Sequence, residues 1–278
     1  MRKLDYRARV QDIFGHFTVV EPNNGIMEYV HMEYIRLQDN QTCVIGRKDR
    51  ELCIAVMSGS CTIKFDNVVE KITGREHLFK DNCLPHAVYI PPEKTIEVCA
   101  EGFFEAVIWG TPAEPKGNIE IVRPSDMNIL NIGEGNWAIQ GYFLIGSDFP
   151  AQKLIVGETQ IPAGNWCSVP PHSHEKNIPG VETKLEEIYY FRFYPETGFG
   201  FQGLYTDDRV LDDAYIIRNH DVILVPRGYH PNVPGPGYQM RMMWGMGGLE
   251  RNWIPYEDPD HSWVGKGTNA PSDAAWDK

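Results

Sequence analysis

The shortness of every apolar run restricts the fold of this chain more than any other feature. Alternating or β-branched stretches recur at about 52–57, 61–65, 87–90, 95–99, 104–109, 152–156, 187–193, 199–205, 214–218, 222–225 and 239–246, punctuated by Gly, Pro, Asn and Asp. Almost nothing carries the 3.6-residue period of an amphipathic helix. Strands in this rhythm pair into β-sandwiches or barrels. At 278 residues the chain can bury a substantial core as one large domain or two small ones. The expectation is an all-β protein.

A Pro/Gly-rich break at Gly110-Thr111-Pro112-Ala113-Glu114-Pro115-Lys116-Gly117 divides the strand runs into two comparable groups. Residues 1–110 are expected to form an amino-terminal domain, 111–135 a linker, 136–265 a second domain and 266–278 a polar tail. The first group reads as a weaker copy of the second. Glu51-Leu52-Cys53-Ile54 is similar to the strand around Glu187, and Ala87-Val88-Tyr89-Ile90-Pro91-Pro92 to the run Val222 to Pro226.

The second group holds the chemistry. His172 and His174, two residues apart after Pro170-Pro171, project from one face if the segment is extended, because strand side chains alternate with a period of two. A helix would space metal-binding histidines three or four apart, and the prolines oppose one. On the run that follows, Glu187, Tyr189, Phe191 and Phe193 share a largely aromatic face, while Glu186, Ile188, Tyr190 and Arg192 share the other. A carboxylate on an apolar face needs a partner, and a metal is one. This parity favours Glu187 over the competing Glu186 and puts Arg192 outside. His230 follows Val222-Ile223-Leu224-Val225 and a Pro-Arg-Gly turn, at the start of a further strand. Three imidazoles and one carboxylate suit one divalent transition metal such as Zn, Mn or Fe better than Ca or Mg. His16, His31, His77, His86, His220 and His261 read as structural or surface residues. No such His-x-His precedes Glu51, so the first domain is expected to lack a metal and to cover the second or form an oligomer interface.

Several segments together carry a resemblance: Val156-Gly157-Glu158, Gly164-Asn165-Trp166, Pro170-Pro171-His172-Ser173-His174, Leu185-Glu186-Glu187-Ile188-Tyr189-Tyr190, Gly198-Phe199-Gly200-Phe201-Gln202, Tyr205-Thr206-Asp207-Asp208-Arg209, and Asp221 through Pro226-Arg227-Gly228-Tyr229-His230-Pro231. The chain resembles the cupins and, more narrowly, the bacterial 5-deoxy-glucuronate isomerases of myo-inositol catabolism. The likeness is dense from about residue 133 to 231 and thin before it. It implies two cupin-like β-barrel or jelly-roll domains, a bicupin, with the metal on His172, His174, Glu187 and His230. It also implies isomerisation of 5-deoxy-glucuronate to 5-dehydro-2-deoxy-gluconate. Phe191 stands where many members carry a histidine, and 238–246 departs from the family's usual wording; either change could alter substrate choice.

An aldose–ketose isomerase also needs a proton shuttle and a grip on the distal carboxylate. Tyr205, Tyr229, Tyr189 and Asp208 are candidates for the shuttle. Arg227, three residues before a ligand, is the first candidate for the carboxylate, with Arg209 and Gln202 as further substrate contacts and Arg192 and Arg241 in the same half. Another metal-dependent cupin enzyme remains an alternative, either an isomerase of a different uronate or a dioxygenase. So does a non-catalytic sugar-binding cupin.

A net charge of −12 speaks against nucleic acid or an anionic membrane as partner; the partner that the resemblance implies is a small sugar acid, with room for a homo-oligomer. No apolar run is long enough to span a bilayer, and no signal-peptide core follows Met1. Cys43, Cys53, Cys61, Cys83, Cys99 and Cys167 form no Cys-x-x-Cys pair and read as reduced, packed residues of a cytoplasmic protein.

Overall fold

Alternation along the longest strands decides how the two halves of this chain meet. The computed structural model describes residues 5–80 and 83–266; the expected polar tail therefore falls, from 267 on, outside the described residues. In chain order the strands are β1 (Arg7–Arg9), β2 (Gly15–Val20), β3 (His31–Leu37), β4 (Thr42–Ile45), β5 (Arg50–Phe65), β6 (Val68–Ile72), β7 (Ala87–Ile90), β8 (Ile96–Pro112) and β9 (Glu120–Val122). They continue as β10 (Asn128–Ile132), β11 (Ile139–Ile145), β12 (Ile155–Ile161), β13 (His172–Ser173), β14 (Leu185–Tyr194), β15 (Phe199–Tyr205), β16 (Asp212–Arg218), β17 (Asp221–Val225), β18 (Asn232–Pro234), β19 (Gln239–Gly248) and β20 (Tyr256–Glu257). Two 3₁₀ turns, Pro124–Asp126 and Gly135–Trp137, are the only helical elements among the described residues.

One sheet runs β2-β3-β8-β5-β7-β9, with β4 added to β8 and β6 to β5; the other runs β1-β17-β14-β19-β12-β11-β10. Read as β11-β12-β19-β14-β17-β1, the second repeats the first strand for strand. A small sheet, β16-β15-β18, and the pair β13-β20 complete the second half. The expected doubled, all-β architecture is therefore present, with the halves exchanging arms. β1, which precedes the first half, pairs with β17 of the second, and β9, which precedes the second, pairs with β7 of the first.

This exchange corrects the linker. Segment 111–135, read from the sequence as a linker, holds the end of β8 and all of β9 and β10. The run pairs 52–57 with 61–65 and 95–99 with 104–109 are also single long strands, β5 and β8. Irregular pairing near Gly59 bends them without ending them, and a Cβ at Gly59 would collide with the Phe103 carbonyl.

Leu52, Ile54, Val56, Ala106 and Ile108 fill the first half's own core, whereas Cys53, Ala55, Met57, Val107 and Trp109 on the opposite faces pack into the core of the second half. Both faces of β5 up to Met57, of β8 from Phe104 on, and of most of β14 and β19 are thus covered. Opposite Ile188, Gly245 leaves room for the Trp109 indole, which a Cβ would approach to 2.7 Å.

Two carboxylates fasten the halves reciprocally. Glu51 accepts the backbone N–H groups of Gln152, Lys153 and Leu154 at 2.6–2.8 Å. Glu186 accepts those of Glu28, Tyr29 and Val30 at 2.7–3.2 Å. Between them Arg75 of the first half and Arg241 of the second both clamp the fully buried Glu158, at 2.7 and 3.1 Å. Arg192 was expected outside; it lies in this interface, 2.9 Å from Glu105, because the face opposite Glu187 meets the other half and not solvent.

Candidate metal centre

β14 and β17 pair with Glu187 opposite Val225, and the chain then turns at Gly228 to carry His230 back over the same sheet face. Gly228 has φ +88°, and a Cβ there would crowd the Tyr205 carbonyl, so the turn requires glycine. His174 arrives from the strand-like segment after Pro171, whose first residues pair with Tyr256 and Glu257 of β20. Buried Glu182 holds this segment, accepting Ser173 Oγ at 2.8 Å and the Glu175 N–H at 2.6 Å.

These elements bring His174, Glu187 and His230 together, with ligand atoms all within 4.8 Å of one another. His174 Nε2 lies 3.1 Å and His230 Nε2 3.5 Å from Glu187 Oε2. All three are buried. His172 stands beside them as a fourth, more open member, its ring 4.9 Å from that of His230 and 6.4 Å from that of His174.

The donor set fits a metal ion. His174 Nδ1 meets the Leu185 carbonyl at 2.7 Å and His230 Nδ1 the Gly228 carbonyl at 2.8 Å, which places the proton on Nδ1 and the free lone pair on Nε2. His230 Nε2 is buried with no hydrogen-bond partner. Burial and then the neighbouring imidazoles push His230 well below the usual histidine range, and burial takes His172 down to about 4. Both are therefore neutral, as ligands must be. Burial also pulls on His174, but contact with Glu187 outweighs it and raises that group.

A cavity of about 250 Å³ opens beside this group. His172, Glu187, Tyr189 and Ser168 provide polar atoms; Phe143, Met242, Trp244, Met246 and Trp253 provide most of an apolar wall. The Tyr189 hydroxyl is 3.4 Å from Ser168 Oγ, and burial, with Glu187 nearby, drives it well above the ordinary tyrosine range. The chain beyond Arg251 forms a strap along one side of the cavity. Arg251 ties it to the carbonyls of Leu154 and Phe149 at 3.0 and 2.8 Å, and Trp253, Pro255 and Glu257 line the cavity.

The other sequence candidates are not among the cavity-lining residues. Tyr205 Oη donates to Asp258 of the strap and Tyr229 Oη to Asp207, each at 2.8 Å. Asp208 is spent on the Thr206 hydroxyl and the Val210 N–H in a turn. Arg209 stacks on the Tyr205 ring, and Arg227, 40% exposed, lies 3.5 Å from Glu175. Buried Gln202 donates to the His230 and Gly203 carbonyls at 2.7 and 2.8 Å, supporting the ligand's backbone. Arg241 sits on the interface face with Glu158. Sequence reading missed the strap and the apolar wall, although Trp244 and both wall methionines lie in the segment 238–246 that departs from the family's wording.

The model of the KduI/IolB family matches residues 7–264. The chain belongs to the KduI/IolB family. A 5-deoxy-glucuronate isomerase of Geobacillus kaustophilus is 35% identical over 252 residues, 90% of this chain and 91% of that one. One of Bacillus subtilis is 32% identical over 88% and 91%. Among solved structures, an IolB-like protein from Salmonella typhimurium superposes with a TM-score of 0.90 at 28% identity, covering 94% of this chain and 99% of that chain. The oxalate decarboxylase of Lactobacillus farciminis superposes at 0.64 with 11% identity, covering 92% and 89%, which shows the shared cupin fold alone. No helix among the described residues is long and apolar enough to cross a membrane, and all six cysteines are unpaired.

Proposed function

We propose that this KduI/IolB protein interconverts 5-deoxy-glucuronate and 5-dehydro-2-deoxy-gluconate in the cytoplasm by aldose–ketose isomerisation. One divalent transition metal (Zn, Mn or Fe) would be held by His174, Glu187 and His230, with His172 as a fourth ligand. The observation that carries this reading is a buried His/Glu/His group beside a sugar-sized cavity that its Glu187 and the neighbouring His172 line, in a chain related over about nine-tenths of its length to 5-deoxy-glucuronate isomerases.

Such an ion, when bound, polarises a carbonyl and stabilises negative charge on neighbouring substrate oxygens. The protein's own side chains do the rest. Nδ1–H bonds to backbone carbonyls fix the His174 and His230 rings, so their Nε2 atoms need no reorganisation. Tyr189 shares the Glu187 face, lines the cavity and keeps its proton at Oη, so it can donate to a substrate oxygen as charge develops there. The apolar side chains of the wall and the strap line the cavity beside these groups, which strengthens polar contacts made against them.

The test is incubation of metal-replete protein with 5-deoxy-glucuronate, followed by NMR. Loss of the aldehyde signal with growth of the ketose supports the proposal; no isomerised product under Zn, Mn or Fe contradicts it.

A further inference from the structure

The wall of the cavity has a chemistry that the reacting end of the substrate does not use. Register places Met246 opposite Glu187 and Trp244 opposite Tyr189, so both project from the face that carries the ligand group. One strand further on, Thr159 pairs with Met242 and Gly157 with Trp244; a Cβ at Gly157 would strike the indole, so Trp244 lies over that strand. Phe143 packs edge-on against Trp244 at 5.3 Å, and Trp253 of the strap stands 6.1 Å from Phe143.

Apart from Thr159, Glu257 of the strap and the groups at the ligand end, this lining offers little to a hydroxyl. It contains no amide, guanidinium or ammonium side chain. The Trp244 N–H is taken by Thr159 Oγ1 at 3.1 Å.

Resting on the isomerase reading above, we propose that the Phe143–Met242–Trp244–Met246 wall is the specificity determinant that selects a substrate lacking the C5 hydroxyl. With C1 and C2 at the His/Glu group, four carbon–carbon bonds carry the chain roughly 5 Å to C5. That is about one strand spacing, the distance from the Glu187 strand to its neighbour bearing Trp244 and Met246. A methylene at C5 gains contact with sulfur and ring carbons there. A hydroxyl loses its water against the same atoms and finds no partner among the four wall side chains, whose one N–H, on Trp244, is already donated to Thr159. A wall of this kind rejects an added hydroxyl by roughly 10²-fold.

The test uses binding, so that it does not depend on turnover. The aldehydes of 5-deoxy-glucuronate and glucuronate are reduced to the C1 alcohols, which cannot isomerise, and the Kd of each for metal-loaded protein is measured by calorimetry. The expected result is a roughly 10²-fold preference for the deoxy compound. Met242→Gln and Phe143→Tyr, each adding a hydrogen-bonding group to the wall, should cut that preference to about tenfold or less, chiefly by tightening the hydroxylated ligand. Wild-type Kd values within about threefold of each other would overturn the proposal. So would a full preference unmoved in both variants, which would locate the selection elsewhere. Failure of 5-deoxy-glucuronate itself to turn over would count against the isomerase reading, and the Kd ratio would still decide this one.

Discussion

Glu186 and Glu187 are consecutive, both buried, and act in different halves of the molecule. Glu186 accepts three successive backbone N–H groups of the 28–30 segment, while Glu187 faces His174 and His230 across the strand. One peptide bond therefore separates the fastening of the two halves from the metal-binding group.

The two carboxylates should separate by mutation. Glu187→Gln should sharply lower metal content and activity without unfolding the protein. Glu186→Gln should keep its metal but lose about 1–3 kcal/mol of stability, because a charged acceptor is replaced by a neutral one over three buried donors. Elemental analysis and denaturant unfolding read the two effects; metal loss in Glu186→Gln would invert the strand parity.

The histidines should rank by burial. His174→Ala and His230→Ala remove members of the compact group and should abolish stoichiometric binding. His172→Ala, at the open side, should weaken it, and His86→Ala should leave it unchanged. Full occupancy in a His172/His174 double mutant would show that the site is elsewhere.

Stability should fall in acid through Glu158. Burial alone would raise this carboxyl, but Arg75 and Arg241 outweigh it and hold it below the ordinary value of 4.5. As pH falls, the unfolded chain takes up a proton that the folded chain refuses. The clamp's contribution is therefore complete above about pH 4.5 and is lost as pH drops through the folded value. At pH 7, Glu158→Gln leaves two guanidinium groups buried without their anion and should cost about 3–5 kcal/mol. Melting curves from pH 7 to 3.5 should show the gap between wild type and variant closing in acid; a gap independent of pH would refute the clamp.

Arg227, chosen from sequence as the carboxylate contact, should prove nearly silent. It is half-exposed beside Glu175 and does not line the cavity. Arg227→Ala is expected to change KM for the sugar acid by less than about twofold, as for a surface ion pair. A tenfold rise in KM would return it to the site.

The legible parts of this molecule are those where period-two alternation meets one apolar face. Glu187 could be separated from Glu186 because its own face is aromatic, and β14, β17 and β19 were visible as short apolar runs bounded by turn residues. Alternation failed where both faces are buried: Arg192 was placed outside because parity cannot tell solvent from a second sheet. β10, with all five residues exposed, has no inside face to betray it, and β3 hides behind buried His31 and Glu33. The exchange of β1 and β9 between halves joins segments far apart in sequence, so no local pattern records it. Tyr205, Tyr229 and Asp208 were candidates for the proton shuttle by residue type, but their hydrogen bonds go to Asp258 of the strap, to Asp207 and to Thr206.

The most direct measurement follows 5-deoxy-glucuronate by NMR in heavy water, with metal-replete protein and with protein stripped by a chelator. An isomerase working through proton transfer at the His174–Glu187–His230 group should convert the aldehyde to the ketose and place solvent deuterium at the new C1 position, and the stripped protein should be inert until metal is restored. Conversion that is unaffected by stripping, or no ketose at all with Zn, Mn or Fe present, would contradict a metal-dependent isomerase at this site.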